Sequence, residues 1–445
     1  MKPDFQSFLD DYRSRYPDDV FHVTEEVSAD QDVTAVVWTL AAQGRDPMLV
    51  FERVNGTKVV TNIFASRKRI ARLLGCDVSR IQQTYQEKSR KAVDPRVVPK
   101  GPVLDSVEEQ VDLTKLPLLR HFETDKAPYI TNGIIVAEGP GNLSYHRAML
   151  HSKTALATSL HSRGHLWRLL QLAQEKNKAL PVAMVIGAHP LFMLAASARV
   201  GFGADERRIA GGLLGEPLEI VKTPKYQIGV PAAAEIVLEG TLDPGAKVEE
   251  GPFGEFTGYS SSRTTNTLFR VETLLRRKDA MLVDVVGGNS PEHLNLSRVP
   301  RESEMAERLI ERFPGVTRLH YPNSGVHFHA YVALRQRREG EARQVMLALL
   351  GWDPYLKTVI ALDEDIDLDD DSQVMWALAT HFQPQRDLLI VDGLPGSALD
   401  PSASASGTTS RMGLDATRGP NFESVRAKIS DRALARAKQL LQSVR

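Results

Sequence analysis

The chain has 445 residues, 42% of them apolar and 25% charged, with a formal net charge of −1 at pH 7. That balance describes a globular chain too long for one core, so two or three domains are expected, and it excludes the charge footprint of a nucleic-acid binder or a basic membrane patch. The single cysteine, Cys76, excludes an internal disulfide and a cysteine-built zinc site, and no run of about 18 apolar residues is present to span a membrane; a cytoplasmic protein is the expectation.

Residues 4–16 read as an acidic amphipathic helix without the apolar centre of a secretory signal. "DVTAVVWTLAAQ", "PMLVFERV", "KVVTNIF" and "SRKRIARLLG" follow as helix, strand, strand and helix, a small α/β unit closing near Leu74. The polar segment 84–110, with Pro95, Pro99 and Pro102, reads as a linker. From about 128 to 290 the pattern turns β-rich, with "YITNGIIVAEG", "NLSYHRAML", "PVAMVIG", "AAEIVLEGTLD", "NTLFRVETLLRR" and "AMLVDVVGG" as strands and helices over 161–176 and 190–199. This spacing predicts a partly closed barrel with helices inserted. After Arg298 a helix over 301–313 leads into the strands "VTRLHY" and "VHFHAYVAL". A helix–strand–helix–strand alternation follows and predicts a parallel or mixed sheet with covering helices. Residues 397–420 read as a low-complexity loop, and "FESVRAKISDRALARAKQLLQSVR" as an amphipathic helix that needs a surface to cover.

Several familiar chemistries lack their signatures: there is no G-x-x-x-x-G-K, G-x-S-x-G, H-E-x-x-H or post-strand G-x-G-x-x-G. What remains is "EGPFGE", with Glu250 and Glu255 five apart across a turn holding Gly251, Pro252, Phe253 and Gly254. By itself it is a solvated acidic turn or a proton-handling device. The strand before it, the aromatic run after it and the permissive glycines favour the second reading, because a carboxyl group held against aromatics keeps its proton to higher pH. The segment 141–165 carries Asn142, Arg147, Arg163 and His165, where Arg147 is able to pair with a carboxylate. His161 and His165 are spaced for a helix surface or a metal pair, and Glu206 opens a helix whose dipole favours an acid there.

Taken together, "NLSYHR", "HSRGH", "GEPLEIVKT", "PAAAEIVLEGTL", "EGPFGEFTGY" and "KTVIALDEDID" resemble the UbiD family of decarboxylases, which use prenylated FMN, over residues 100 to 420. The resemblance implies a catalytic set of Arg147, Glu250 and Glu255, in which Glu255 protonates the carbon that has lost CO2. It implies that Asn142, His165 and Glu206 hold a divalent metal, Mn2+, bridging the cofactor phosphate, with K+ nearby; such oxygen-rich donors suit a hard ion. Ser144, Tyr145, His146, Arg147, Arg163 and Gly164 would border the flavin, and Lys357 its phosphate. The implied fold is an N-terminal α/β region (1–105), a central split-barrel flavin-binding domain (106–297) and a C-terminal α/β domain (298–445) whose terminal helix packs on a partner subunit in a homodimer or higher homo-oligomer. A flavin prenyltransferase would supply the cofactor.

Within "PEHLNLSRVPRE", His293 and Arg301 stand eight apart, between a barrel strand and the first C-terminal helix. The pair resembles the arrangement with which furan-dicarboxylate decarboxylases of this family hold the carboxylate that is not lost, so furan-2,5-dicarboxylate, giving 2-furoate and CO2, is the expected substrate. A charged linker is the plain alternative. Other acids of the pyrrole-2-carboxylate or cinnamate type, a split-barrel flavin reductase and a non-catalytic flavin-binding protein are the competing functions.

Overall fold

Period-two burial in the N-terminal strands covers both faces of a small sheet. The computed structural model describes residues 4–138, 142–160, 164–262, 264–335, 338–404, 407–419 and 422–442. Strands Val20–Val27, Met48–Val54, Thr57–Thr61 and Leu282–Val283 lie in that order. Met48, Val50 and Val60 pack with Phe5, Phe8 and Ile70 on one face. Leu49, Phe51 and Val59, from the alternate positions, pack with Val33, Val37 and Leu40 on the other. Leu282–Val283 pairs in parallel with Thr57–Thr61, so "AMLVDVVGG" completes the N-terminal sheet rather than the central one.

The central sheet has nine strands. Eight run in the order Tyr129–Ile130, Ala148–Ser152, Ala155–Thr158, Thr264–Arg276, Ile236–Glu250, Leu180–Ile186, Gly133–Ala137 and Asn142–Tyr145, and Ser106–Glu108 pairs on Thr264–Arg276. Its two edge strands do not pair with each other among the described residues, so the sheet stays open where the sequence predicted a partly closed barrel. Every pairing in it is antiparallel. The 15-residue Ile236–Glu250 and 13-residue Thr264–Arg276 form one long hairpin whose last pair is Glu250 with Thr264. The "GPFGE" turn therefore sits at the hairpin tip. Apolar contacts run without a break from the N-terminal helices into this sheet: Phe5, Val60, Ile134, Val185 and Val283 share one cluster.

The C-terminal sheet runs Val316–His320, His329–Leu334, Thr358–Asp363, Thr408–Asp415, Leu388–Pro395, over its own apolar clusters. Thr408–Asp415 lies inside the segment read from sequence as a loop; its Gly, Ser and Thr content hid a strand that pairs on both sides. The expected linker 84–110 is likewise partly ordered. It holds the end of helix Ile81–Arg90 and strand Arg96–Val97, which pairs with Glu219–Lys222. Helix Asp431–Gln442 buries none of its residues, and Leu434, Leu440 and Leu441 are exposed. No described helix is long and apolar enough to cross a membrane.

One helix, Pro291–Arg312, joins the two bodies. It begins ten residues before the position expected from sequence, because Ser290 caps it, accepting from His293 N, and Pro291 takes the first turn where no N–H is needed. Pro300 lies inside it, where a proline ordinarily breaks a helix. Glu292, wholly buried, ties its start to the N-terminal unit by accepting from Asn62 N at 2.7 Å, Ile63 N at 2.5 Å, Phe64 N at 3.3 Å and Thr61 Oγ1 at 3.1 Å. Burial, with the Asp284 charge adding to it, pushes its pKa up to about 7. Glu292→Leu leaves these donors unpaired in the interior, so it is expected to lower the unfolding free energy by at least about 3 kcal/mol, read as a shift of the urea midpoint; an unchanged midpoint would refute that role.

Candidate active site

Arg147 follows the strand Asn142–Tyr145 at the turn into Ala148–Ser152, and Thr158 Oγ1 donates to its carbonyl at 3.1 Å. Its guanidinium lies over the Phe253 ring, 4.8 Å from the centroid. From there it reaches both glutamates of the turn: Nε donates to Glu250 Oε1 at 2.9 Å, and Nη1 donates to Glu255. Glu250 is fully buried at the end of its strand and also accepts from Tyr129 Oη at 3.1 Å and Asn266 Nδ2 at 2.8 Å. Glu255, buried as well, has Ser261 beside Arg147 as its other side-chain partner. Burial raises the Glu255 pKa; Arg147 opposes that shift and the Glu250 charge adds to it. Burial works against the Arg147 charge too, but Glu255 and Glu250 outweigh it and its pKa is raised.

These groups face a cavity of about 230 Å³ whose wall includes Thr131, Tyr145, Arg147, Phe253, Glu255, His293 and Ser297. His293 thus stands where the sequence placed it. Its Nδ1 donates to Gly288 O at 3.0 Å, leaving Nε2 as an acceptor, and burial, with the neighbouring Arg147 and Arg298 charges, lowers its pKa. Arg301 does not stand there. It is bound to Asp353 by Nε and Nη2, both at 2.5 Å, and its guanidinium lies against Tyr321 and Tyr355. The residue that shares the cavity with His293 is Ser297, one helical turn on, whose Oγ also meets His327 Nε2 at 3.1 Å. On a helix, residues four apart share a face, and a second turn of drift carries Arg301 towards the C-terminal body.

A second cluster lies across the strand that leads to Arg147. Glu206, the first residue of helix Glu206–Leu214, is buried, and its Oε2 accepts from Leu143 N at 2.9 Å. Its Oε1 is 3.9 Å from His165 Nδ1, at the first turn of helix His165–Glu175. Burial pushes its pKa up to about 7. Asn142 adjoins Leu143 at the head of its strand; its side chain, Arg163 and His161 lie outside the described residues. A buried carboxylate and an imidazole facing each other, beside an asparagine position, fit a divalent cation.

The remaining expected flavin contacts are spread around the cavity. Tyr145 contributes to its wall, while Ser144 Oγ meets His146 Nε2 at 2.8 Å and Gly164 caps helix His165–Glu175. Lys357 lies apart from the cavity wall, with its ammonium 2.8 Å from Asp400 Oδ2 and 2.7 Å from Ser402 Oγ. Tyr129, Asn266, Ser297 and Thr131 were not picked out from sequence. None belongs to a spacing motif, and each arrives from a different strand or helix.

Three adjoining family models match the chain. They are the N-terminal, Rift-related and C-terminal domains of 3-octaprenyl-4-hydroxybenzoate carboxy-lyase, over residues 13–88, 96–290 and 295–416. Among named relatives, the anhydromevalonate phosphate decarboxylase of Methanosarcina mazei is 36% identical over 382 residues, 85% of this chain and 89% of its own length. The enzyme of that name from Methanothermobacter thermautotrophicus is 32% identical, over 93% of this chain and 96% of its own. Among solved structures, the UbiD-class enzyme HmfF of Pelotomaculum thermopropionicum, in complex with FMN, superposes with a TM-score of 0.91 at 31% identity, covering 97% of this chain and 98% of that one. The open form of the vanillic acid decarboxylase of Sedimentibacter hydroxybenzoicus gives 0.88 at 29% identity, over 99% of each chain. With Arg147 and Glu255 lining a cavity, Glu250 paired to Arg147 behind them, and family models spanning most of its length, the chain belongs to the UbiD family of decarboxylases, which are carboxy-lyases.

Proposed function

We propose that this chain is a prenylated-FMN-dependent decarboxylase in which Glu255 delivers the proton that replaces CO2. The observation that carries this reading is the Arg147 guanidinium shared by Glu250 and Glu255 at the cavity wall. Loss of CO2 breaks a C–C bond and leaves its electron pair on carbon. When bound, prenylated FMN supplies an electrophilic carbon that takes up this pair, for which the chain has no group of its own. Arg147 pairs with Glu250 and orients Glu255, which gives its proton to form the new C–H bond and must then regain a proton from solvent. Asn142, His165 and Glu206 would hold Mn2+, which together with K+ would offset the negative charge of the cofactor phosphate. Ser144, Tyr145, His146, Arg163, Gly164 and Lys357 complete the cofactor's surroundings. A homodimer forms by pairing of the exposed leucine face of Asp431–Gln442, and a dimeric form of HmfF is among the similar structures.

For the substrate, the cavity argues against a second carboxylate next to the reacting one. Its only cationic lining residue among those described is Arg147, already paired with two carboxylates. His293 is held neutral and Arg301 is neutralised by Asp353. Arg199, two residues along the chain from the lining Ser197, is exposed. An α,β-unsaturated acid with its carboxylate at Glu255 and a phosphate reaching Arg199 fits this charge pattern and accords with the named relatives. Furan-2,5-dicarboxylate is the second reading, supported by His293 in the wall.

Protein made together with a flavin prenyltransferase and assayed anaerobically without NAD(P)H should release CO2 from anhydromevalonate phosphate at least about tenfold faster than from furan-2,5-dicarboxylate, the weight of one charge-assisted contact. The reverse order would reinstate the furan reading. In the same preparations Glu255→Gln should keep flavin and metal yet lose about 10²–10⁴ in kcat, whereas Glu206→Ala should lose metal and flavin together. Because Glu255 is the acid and its pKa is raised, kcat should fall on the alkaline side of a titration displaced upward from an ordinary carboxylate. Normal turnover by Glu255→Gln would remove it from the mechanism. A chain lacking 424–445 should sediment as a monomer; an unchanged dimer would place the interface elsewhere.

A further inference from the structure

The catalytic turn does not hold itself in place. Glu255 N donates to Tyr259 O at 2.9 Å, a bond within the turn. The anchor outside it is Asp125, which is 4% exposed. Asp125 Oδ2 accepts from His121 N at 3.2 Å and Phe122 N at 3.1 Å, closing its own loop. Its Oδ1 accepts from Gly254 N at 3.1 Å, a bond spanning 129 positions of chain. Gly254 immediately precedes Glu255. The Phe122 ring presses on the same residue: a Cβ on Gly254 would meet it at 2.3 Å. On the far side of the turn, Thr124 Oγ1 and Ser260 Oγ are 2.6 Å apart.

We propose that Asp125 is a positioning residue for the proton donor, fixing the Phe253–Gly254 peptide, one residue before Glu255, so that the Glu255 carboxyl meets both Arg147 and the cavity. A loop needs two of these bonds to close; the third serves the turn alone. Without it the turn keeps the Phe122 contact and the bonds that Tyr129 Oη and Lys126 N donate to Pro252 O at 3.3 and 3.4 Å, but loses the buried bond at the residue before Glu255, and Glu255 drifts relative to the reacting carbon. A displacement near 1 Å costs on the order of 10²-fold in rate. The inference rests on the reading of Glu255 as proton donor, and two separate readouts keep the two apart.

Backbone hydrogen–deuterium exchange of the full chain without cofactor, followed by mass spectrometry, tests the anchor by itself. In Asp125→Ala the peptide covering 251–261 should exchange faster, with the Glu292 region and the C-terminal sheet unchanged. Loaded with cofactor, the variant should lose on the order of 10²-fold in kcat while KM and flavin content stay within about twofold, and Asp125→Asn, which keeps one carbonyl oxygen for Gly254, should recover part of the loss. Unchanged exchange at 251–261, unchanged kcat, or a parallel loss of kcat, KM and flavin overturns the proposal. If Asp125→Ala exchanges fast throughout, Asp125→Asn is read by the same two measurements, and global unfolding of that variant too makes Asp125 a folding residue and overturns it. Wild-type turnover by Glu255→Gln would instead refute the proton-donor reading while leaving the exchange result standing.

Discussion

One cation between two buried carboxylates governs this protein's active site. In a low-dielectric wall, Arg147 neutralises one charge, and the second carboxylate either meets a further cation or keeps its proton. The surroundings decide which one does so. Glu250 accepts from Arg147 Nε, Tyr129 Oη and Asn266 Nδ2, a set that stabilises an anion. Glu255 shares Arg147 but is otherwise supported by Ser261, and burial together with Glu250 raises its pKa. Two carboxylates five residues apart thereby sit in different surroundings, one held by three donors and the other by fewer.

The fold is arranged around keeping that set dry and still. The long hairpin Ile236–Glu250 and Thr264–Arg276 is buried where it crosses the sheet and carries the turn at its tip, where a substrate can reach it. Phe253 sits between Tyr129, 4.6 Å away between ring centroids, and the Arg147 guanidinium, filling the space water would need. Phe256, directly after Glu255, packs on His327 at 4.6 Å and on Phe328 at 5.5 Å between ring centroids. The turn therefore touches both bodies of the molecule, and a relative movement of the two would be felt at Glu255.

The opposite wall shows how a correct residue type can be read into the wrong role. His293 and Arg301 are eight apart on a continuous helix, a spacing that leaves them about 80° apart round its axis. The side chains diverge: His293 faces the cavity, while Arg301 turns into Asp353, Tyr321 and Tyr355 of the C-terminal body. Asp353 is the deciding group. A fully buried guanidinium requires a buried anion, and the chain provides one more than fifty positions away, a pairing no local pattern announces. The consequence reaches the substrate, because the cavity is left with a neutral imidazole and a hydroxyl where a cationic pair was expected.

What the sequence alone determined was local or carried by ordered motifs. The strand at Met48–Val54, the helices at Phe5–Arg15 and Arg67–Leu74, and the ordered family motifs that carry Arg147, Glu250 and Glu255 were legible because each rests on neighbours within a few residues or on a motif long enough to be specific. The helix start at Pro291 was hidden by Pro300, and the strand Thr408–Asp415 by its Gly, Ser and Thr content, since both are stabilised by what packs on them rather than by their own propensities. Only the tertiary structure brought Tyr129, Asn266 and Asp125 to the catalytic turn, and only it gave Arg301 to Asp353. Hydrogen bonds and ion pairs across 16 to 129 positions depend on where the sheets and the joining helix place their ends. That placement is the outcome of packing two bodies around shared apolar cores, which no single stretch of the chain encodes.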